Sequence, residues 1–249
     1  MNFPMSLTKS KCFVIKSIDY SETTKIFTLF SERYGKIQVI AKGIKKDKSK
    51  LSGVVQNFNM IEASFYFHED KSLFTLSDAS IITCYGSLGS DMLKFALVCF
   101  VFEIIDVSIV ENMENHTIFG LLDNFLTKLN DAKSNLIDIT MPVLYQLISE
   151  LGYMPLTNSC VSCGREEYLD YFLFSSGTVC SDCNVSKKDS IKINPSIPKI
   201  IDKYFKSDMN YIKLDKTQIN ILLEIAAESI QYHYERRLKS YQFLKSVLK

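Results

Sequence analysis

Four cysteines in two pairs constrain this chain more than any other feature. Cys160-Val-Ser-Cys163 is followed, after sixteen residues, by Cys180-Ser-Asp-Cys183. Each CxxC forms a tight knuckle that aims two sulfurs at one point, and two facing knuckles make the tetrahedral S₄ cage that Zn²⁺ accepts. Gly164 follows the first knuckle and Gly177 lies three residues before the second. Between them Leu169 to Ser175 (LDYFLFS) reads as a short strand, as in a zinc ribbon. Four protein ligands leave no open coordination position. The expectation is therefore one structural Zn²⁺ per chain, held by Cys160, Cys163, Cys180 and Cys183. An iron–sulfur cluster and a redox dithiol pair are competing uses of the same spacing. The chain has seven cysteines, and this odd count argues against a disulfide framework and for a reducing compartment. Cys12, Cys84 and Cys99 lie in apolar patterns and read as inert core thiols.

Around this module the hydrophobic period changes once. Before residue 85 the pattern is that of strands: Cys12–Ile18, Lys25–Phe30, Lys36–Ala41, Asn59–Phe67 and Leu73–Leu76, with Ile81–Cys84 as a continuation of the last. Gly35 suits the turn between the second and third. A polar loop, Lys42–Asn57, separates the third from the fourth. About five short strands with no helix between them fit a small barrel or sandwich better than a parallel sheet. After Gly89 the pattern is helical. Asp91–Asn112 is apolar nearly all round, as a buried central helix would be. Thr117–Asn130 carries an apolar stripe. A third helix is expected to be capped by Thr140, with Pro142 in its first turn, and to stop at Gly152. Asp215-Lys-Thr-Gln218 opens a long helix as a capping box, and a last helical stretch runs from Tyr234 to Leu248. No apolar run reaches the roughly 18–20 residues a membrane span requires, and no secretory h-region is read at the start.

Net charge is +1, but its distribution is uneven. Residues 1–60 carry net +7, residues 61–150 net −9, and residues 151–249 net +3. Residues 42–50 alone hold five lysines and one aspartate. Such asymmetry points the first part at a polyanion, and flexible lysines track phosphates without reading bases. Tyr34, Phe58, Tyr66 and Phe67 are aromatics that would stack on exposed bases if they are not core. His68, His116 and His233 are scattered. No phosphate-binding glycine loop or nucleophile motif is present, so no catalytic residue is assigned.

These motifs together resemble the RecO family of bacterial DNA-repair and recombination-mediator proteins. The resemblance rests on Val14-Ile-Lys-Ser-Ile-Asp-Tyr-Ser-Glu22, Lys25-Ile-Phe-Thr-Leu-Phe30, Tyr34-Gly-Lys-Ile37, Ala41-Lys-Gly43 and Lys48-Ser-Lys-Leu-Ser-Gly53. It continues through Leu151-Gly-Tyr-Met-Pro155, Cys160-Val-Ser-Cys-Gly164 and His233-Tyr-Glu-Arg-Arg-Leu-Lys-Ser240. It implies an α+β fold: an N-terminal OB-fold β-barrel (residues 1–84), then a helical domain (85–249) with an inserted Cys₄ zinc ribbon at about 157–190. It implies a non-enzymatic cytoplasmic, nucleoid-associated protein that binds single- and double-stranded DNA and anneals complementary strands. The partners implied are RecR, the single-strand-binding protein and, through loading onto coated strands, RecA. The DNA-binding candidates are Lys36, Lys42, Lys45, Lys46, Lys48 and Lys50, with Arg236, Arg237 and Lys239 as a second set. Without the resemblance, the residues equally suit a zinc-containing RNA-binding or ribosome-associated OB-fold protein.

Overall fold

In a computed structural model, the structure describes residues 6–47, 49–68, 70–185, 188–206 and 212–249. Chain contacts divide it into two compact units. The first holds residues up to Asp91 together with Ile109–Leu126, and the second holds Met92–Ser108 with Thr127–Lys249.

The first unit is built on five strands: β1 (Ser6–Asp19), β2 (Lys25–Ser31), β3 (Gly35–Ala41), β4 (Met60–Phe67) and β5 (Leu73–Thr83). They close into a barrel in the order β1-β2-β3-β5-β4, the Greek-key arrangement of a five-stranded OB barrel. Closure depends on β1, whose fourteen residues serve two neighbours. Its second half, Cys12–Asp19, pairs antiparallel with β2, and its first half, Ser6–Phe13, pairs with β4. A bulge between Val14 and Lys16 bends it where the two pairings overlap. A short parallel pairing of Gln38–Ile40 with Leu73–Thr75 completes the ring. The expected break between Leu76 and Ile81 is absent, because β5 runs through it and absorbs the change of register in irregularities against β4.

Inside the barrel Val14, Phe27, Leu29, Ile37, Val39, Ile61, Phe65 and Phe74 form one core. β3 alternates buried and half-buried residues, the period-2 signature of a strand with one wet face. β2 is buried on both faces, and the reason is a helix. Phe119 of α2 (His116–Asp131) meets Phe13 at 4.8 Å and Phe30 at 5.9 Å between ring centres. Each such aromatic burial contributes on the order of 2–3 kcal/mol.

The second unit contains α1 (Met92–Ser108), the end of α2, α3 (Leu136–Glu150), α4 (Ser196–Phe205), α5 (Lys216–Tyr234) and α6 (Lys239–Val247). As the sequence pattern requires, α1 is the buried helix, packing on α3, α5 and α6. Its buried Lys94 donates to the carbonyl of Asn130 at 2.8 Å, satisfying a group at the end of α2. The fully buried Tyr145 donates its hydroxyl to the carbonyl of Leu222, tying α3 to α5. The capping box at Asp215 and Gln218 is formed as expected.

Two helix boundaries differ from expectation. Thr140 does not cap α3; the helix begins at Leu136, and the Thr140 hydroxyl donates to the Leu136 carbonyl at 2.8 Å. Pro142 therefore sits inside the helix, where it removes the N–H that would have bonded the Asp138 carbonyl. The last helical stretch is also not continuous. Glu235 adopts a left-handed conformation and separates α5 from α6. No helix among the described residues is long and apolar enough to cross a membrane.

Gly35 is the tightest point of the first unit. It has φ +63°, and a Cβ there would lie 1.9 Å from the Met113 carbonyl oxygen. The adjacent Lys36 pairs its backbone with Glu111 and accepts from the Asn112 N–H at 2.9 Å. Substituting Gly35→Ala should lower unfolding stability by at least about 2 kcal/mol through strain and displacement of that segment, seen as an earlier midpoint in urea unfolding.

Candidate metal centre and nucleic-acid interface

The paired cysteines come together as the spacing requires. The four Sγ atoms of Cys160, Cys163, Cys180 and Cys183 all lie within 4.8 Å of one another. The knuckles are held by backbone bonds that return to the first cysteine of each. Gly164 N–H donates to the Cys160 carbonyl, and the N–H groups of Cys183 and Asn184 both donate to the Cys180 carbonyl. Gly164 takes φ +75°, which lets the first knuckle turn back. A small sheet supports them, made of β6 (Tyr171–Leu173), β7 (Gly177–Val179) and β8 (Ser190–Lys192), with β6 central. Of the expected module at 157–190, residues 186 and 187 lie outside the described residues. The sheet is locked to the chain before the first knuckle at Gly177, where φ is +125° and a Cβ would lie 2.1 Å from the Leu156 carbonyl oxygen. Thr178 adds hydroxyl bonds to the carbonyls of Leu156 and Ser159.

The donor set fits a metal ion. Sulfurs bound tetrahedrally at about 2.3 Å stand about 3.8 Å apart, and Cys163 and Cys180 are separated by 3.9 Å. Burial raises the Cys160 thiol, but donation from the backbone N–H groups of Cys180, Cys163 and Ser162 outweighs it and draws the thiol down to about 6. Cys183 moves the other way, to about 12, because hydrogen bonding to Cys180 and Cys163 holds its proton. A dication displaces such protons, so binding is favoured as pH rises. Arg165 and Asp182 form a 2.8 Å ion pair between the two knuckles. The Asp182 carboxylate holds the Arg165 guanidinium above its ordinary range, with the sulfurs of Cys180 and Cys163 adding to it. No sequence motif marks this pair, although opposite charges beside two CxxC knuckles are visible in the chain.

The other cysteines divide. Cys12 and Cys99 are pushed up by burial, to about 12 and about 11. Cys84, expected to be an inert core thiol, is exposed. Its apolar neighbours on β5, Ile81 and Ile82, are themselves 45% and 44% exposed, so the apolar run there is not a buried face.

The lysine segment is more ordered than a flexible polar loop. Ile44 and Val55 are buried in the barrel core, and Leu51 and Val54 pack against it. A succession of turns joins them: Lys46 N–H to Gly43, Ser49 N–H to Lys46, Val54 and Val55 N–H to Leu51. Lys42, Lys46 and Lys50 are exposed on this plug. Lys45 is engaged: its ammonium meets Asp19 at 3.1 Å, and Lys25 approaches the same carboxylate at 3.6 Å. The hydrogen bond from Lys45 holds the Asp19 carboxyl below its usual range. Lys48 lies outside the described residues. Lys36 is not gathered with the others. It lies at the opposite end of β3, six residues and about 20 Å of extended chain from Lys42.

Of the expected stacking aromatics, Tyr34 and Phe67 pack on the barrel core, with ring centres 4.7 Å apart, and Tyr34 also hydrogen-bonds Thr8. Phe58 is half-buried, and Tyr66 is exposed. Tyr20, which the sequence reading passed over, is 64% exposed in the β1–β2 turn that receives the Lys45 N–H at Thr23. The second basic set is exposed at the α5–α6 junction, Arg236 and Arg237 in the turn and Lys239 as the first residue of α6. Glu103 of α1 fixes that turn by accepting from the N–H groups of Lys239 at 3.1 Å and Ser240 at 2.7 Å, and from the Ser240 hydroxyl. No sequence signal announced this cap, because 136 residues separate Glu103 from Lys239.

An OB barrel with a lysine-bearing plug, joined in one chain to helices that carry a four-cysteine ribbon, defines a narrow class of protein. Family comparison agrees with it over both parts. Residues 5–85 match the model described as Recombination protein O N terminal, and residues 89–242 match Recombination protein O C terminal. The chain belongs to the RecO family. It is 30% identical over 245 residues to the DNA repair protein RecO of Caldanaerobacter subterraneus subsp. tengcongensis, covering 96% of this chain and 98% of that one. It is 28% identical to that of Bacillus subtilis, covering 96% and 94%, and 27% identical to that of a Thermoanaerobacter species, covering 98% and 99%.

Cys163 is exposed, so replacing it removes one of the four candidate ligands with little loss of packing. Cys163→Ser is expected to reduce bound metal from one ion per chain to a small fraction by elemental analysis. It should also raise amide exchange in residues 156–192 while helical circular dichroism persists.

Proposed function

We propose that this protein is a non-enzymatic recombination mediator of DNA repair. It binds single- and double-stranded DNA, anneals complementary strands and, with RecR, helps load RecA onto strands coated by single-strand-binding protein. Membership of the RecO family over both halves of the chain supports this, as does the printed name of the relatives, DNA repair protein. The observation that carries the DNA-binding part is the plug at residues 42–55, which offers several ammonium groups on an anchored surface. Ammonium groups neutralise phosphates as point charges and give no bidentate base readout, so binding is indifferent to sequence.

In this reading residues 1–84 are the nucleic-acid-binding domain. Lys42, Lys45, Lys46, Lys48 and Lys50 form the main contact, Lys36 a separate one, and Arg236, Arg237 and Lys239 a second surface. Residues 85–249 serve protein contacts, and the ribbon at 157–190 holds one structural Zn²⁺ through its four cysteines. Annealing needs only that basic surfaces screen the repulsion between two phosphate backbones, so neither nucleotide hydrolysis nor a catalytic residue is required.

Two measurements check this. With about four phosphates neutralised, log K against log[salt] should have a slope of about −3 on single strands, and the triple variant Lys42→Ala, Lys46→Ala, Lys50→Ala should bring it to about −1. Unchanged affinity and slope would move the site off the plug. Annealing should proceed without ATP, persist on strands coated with the cognate single-strand-binding protein, and require that protein's acidic tail only when the strands are coated. Annealing of structured RNA but not DNA would favour the RNA-binding reading.

A further inference from the structure

The first unit contains a cleft of about 520 Å³ whose walls come from three places: Ser17, Lys25 and Phe27 of the barrel; Ile44 and Lys45 with residues between Ser52 and Asn59; and Cys84, Tyr85, Gly86 and Gly89 after β5. This size falls within the roughly 300–1,000 Å³ range of small-ligand sites. Its lining is chemically specific. Asn57 supplies an exposed amide, which offers donors and an acceptor on one group, as the edge of a nucleobase does, while Gln56 and Asn59 donate their side-chain N–H groups to the Ser52 and Val54 carbonyls. Phe58, half-buried, supplies accessible aromatic surface, and the buried rings of Phe27 and Tyr85 back the cleft. Lys25 and Lys45 supply positive charge, and Asp19 holds both ammonium groups in place at 3.6 and 3.1 Å.

The amide wall is rigid. Phe58 N–H donates to the Val14 carbonyl at 2.9 Å, and Val14 N–H donates to the Asn59 carbonyl at 3.1 Å, at the bulge of β1. Asn59 is itself buried and donates its side-chain N–H to the Val54 carbonyl. Phe58 takes φ +73°, a conformation that bulky residues adopt only when their surroundings force it. The cleft has room at Gly53, in the same segment as the amides, and at Gly89, on another wall: at each a Cβ would meet nothing within 4 Å.

We infer that this cleft receives one nucleotide, its base against Asn57 and Phe58 and its phosphate at the Lys25 and Lys45 ammonium groups, whose charge exceeds that of the one carboxylate they share. This rests on the DNA-binding reading and deepens it. The plug lysines track the backbone, and the cleft takes a base turned out of the strand. A base in a duplex is stacked and paired, so the cleft favours single strands. Binding there needs no sequence readout.

Cys84 lines the cleft and is exposed, which makes it a reporter. Its alkylation by iodoacetamide in the full-length protein is read by mass spectrometry of its own peptide. The additives are a thymidine oligonucleotide, the same phosphodiester chain without bases, and free thymidine monophosphate. At ten times its Kd the oligonucleotide should slow alkylation of Cys84 about ten-fold, because the open cleft is depleted by that factor. The abasic chain should bind yet leave Cys84 reactive. Gly53→Trp and, on the other wall, Gly89→Trp should each abolish protection while salt-dependent binding remains. Protection by the free nucleotide as well as the oligonucleotide would support the same chemistry from either source. Oligonucleotide binding without protection of Cys84, or equal protection by the abasic chain, overturns the cleft and leaves DNA binding standing. Failure of any oligonucleotide to bind overturns both.

Discussion

Closure of the barrel through β1 is the constraint on which the first unit depends. One strand supplies ladder partners to both β2 and β4, and its bulge lets a single chain bend far enough to do so. On the other side of β1 the ladder with β4 continues past its last pair, Phe13 with Met60, through backbone bonds from Val14 to Asn59 and from Phe58 to Val14. Since buried backbone groups must find partners, this fixes the end of the long connection between β3 and β4. The beginning of that connection is fixed by Ile44 in the core. A segment that is polar in composition is thus carried as an anchored plug, and Lys42, Lys45, Lys46 and Lys50 occupy defined positions on it.

Charge is managed differently in the two units. On the barrel, Asp19 divides one carboxylate between Lys25 and Lys45, which holds two ammonium groups close together without cancelling both. Ion pairs this exposed contribute little to stability, so the consequence is one of position. In the ribbon, Arg165 and Asp182 link the two knuckles, and the guanidinium stands near sulfurs that become negative when they bind a dication. The turn with Arg236 and Arg237 is set by a third device, the Glu103 carboxylate at the start of α6, where a negative charge also meets the helix dipole favourably.

Much of this was legible in the chain itself. The cysteine spacing determined the tetrad, because a CxxC knuckle is a local structure and two of them aim at one point whatever surrounds them. The change of hydrophobic period near Gly89 determined strands before and helices after, and the capping box at Asp215 is a contact between residues three apart. Charge asymmetry located the lysines. Residues whose partners are near in sequence carry their own signal.

What only the tertiary structure decided are the matters settled by distant partners. Tyr34 and Phe67 look like binding aromatics until the barrel closes and turns them onto its core. Thr140 looks like a cap until α3 begins a turn earlier and its hydroxyl is used within the helix. Cys84 looks like core until the fold leaves Ile81 and Ile82 beside it exposed. Lys36 and Lys42 are near in sequence, but an extended strand sets them about 20 Å apart. Glu103 reaches its cap across 136 residues between Glu103 and Lys239, and the walls of the cleft come from three separate stretches of chain. Local patterns fix local geometry, whereas which side chains meet across the fold is set by closure and packing, and these have no signature in any short window of sequence.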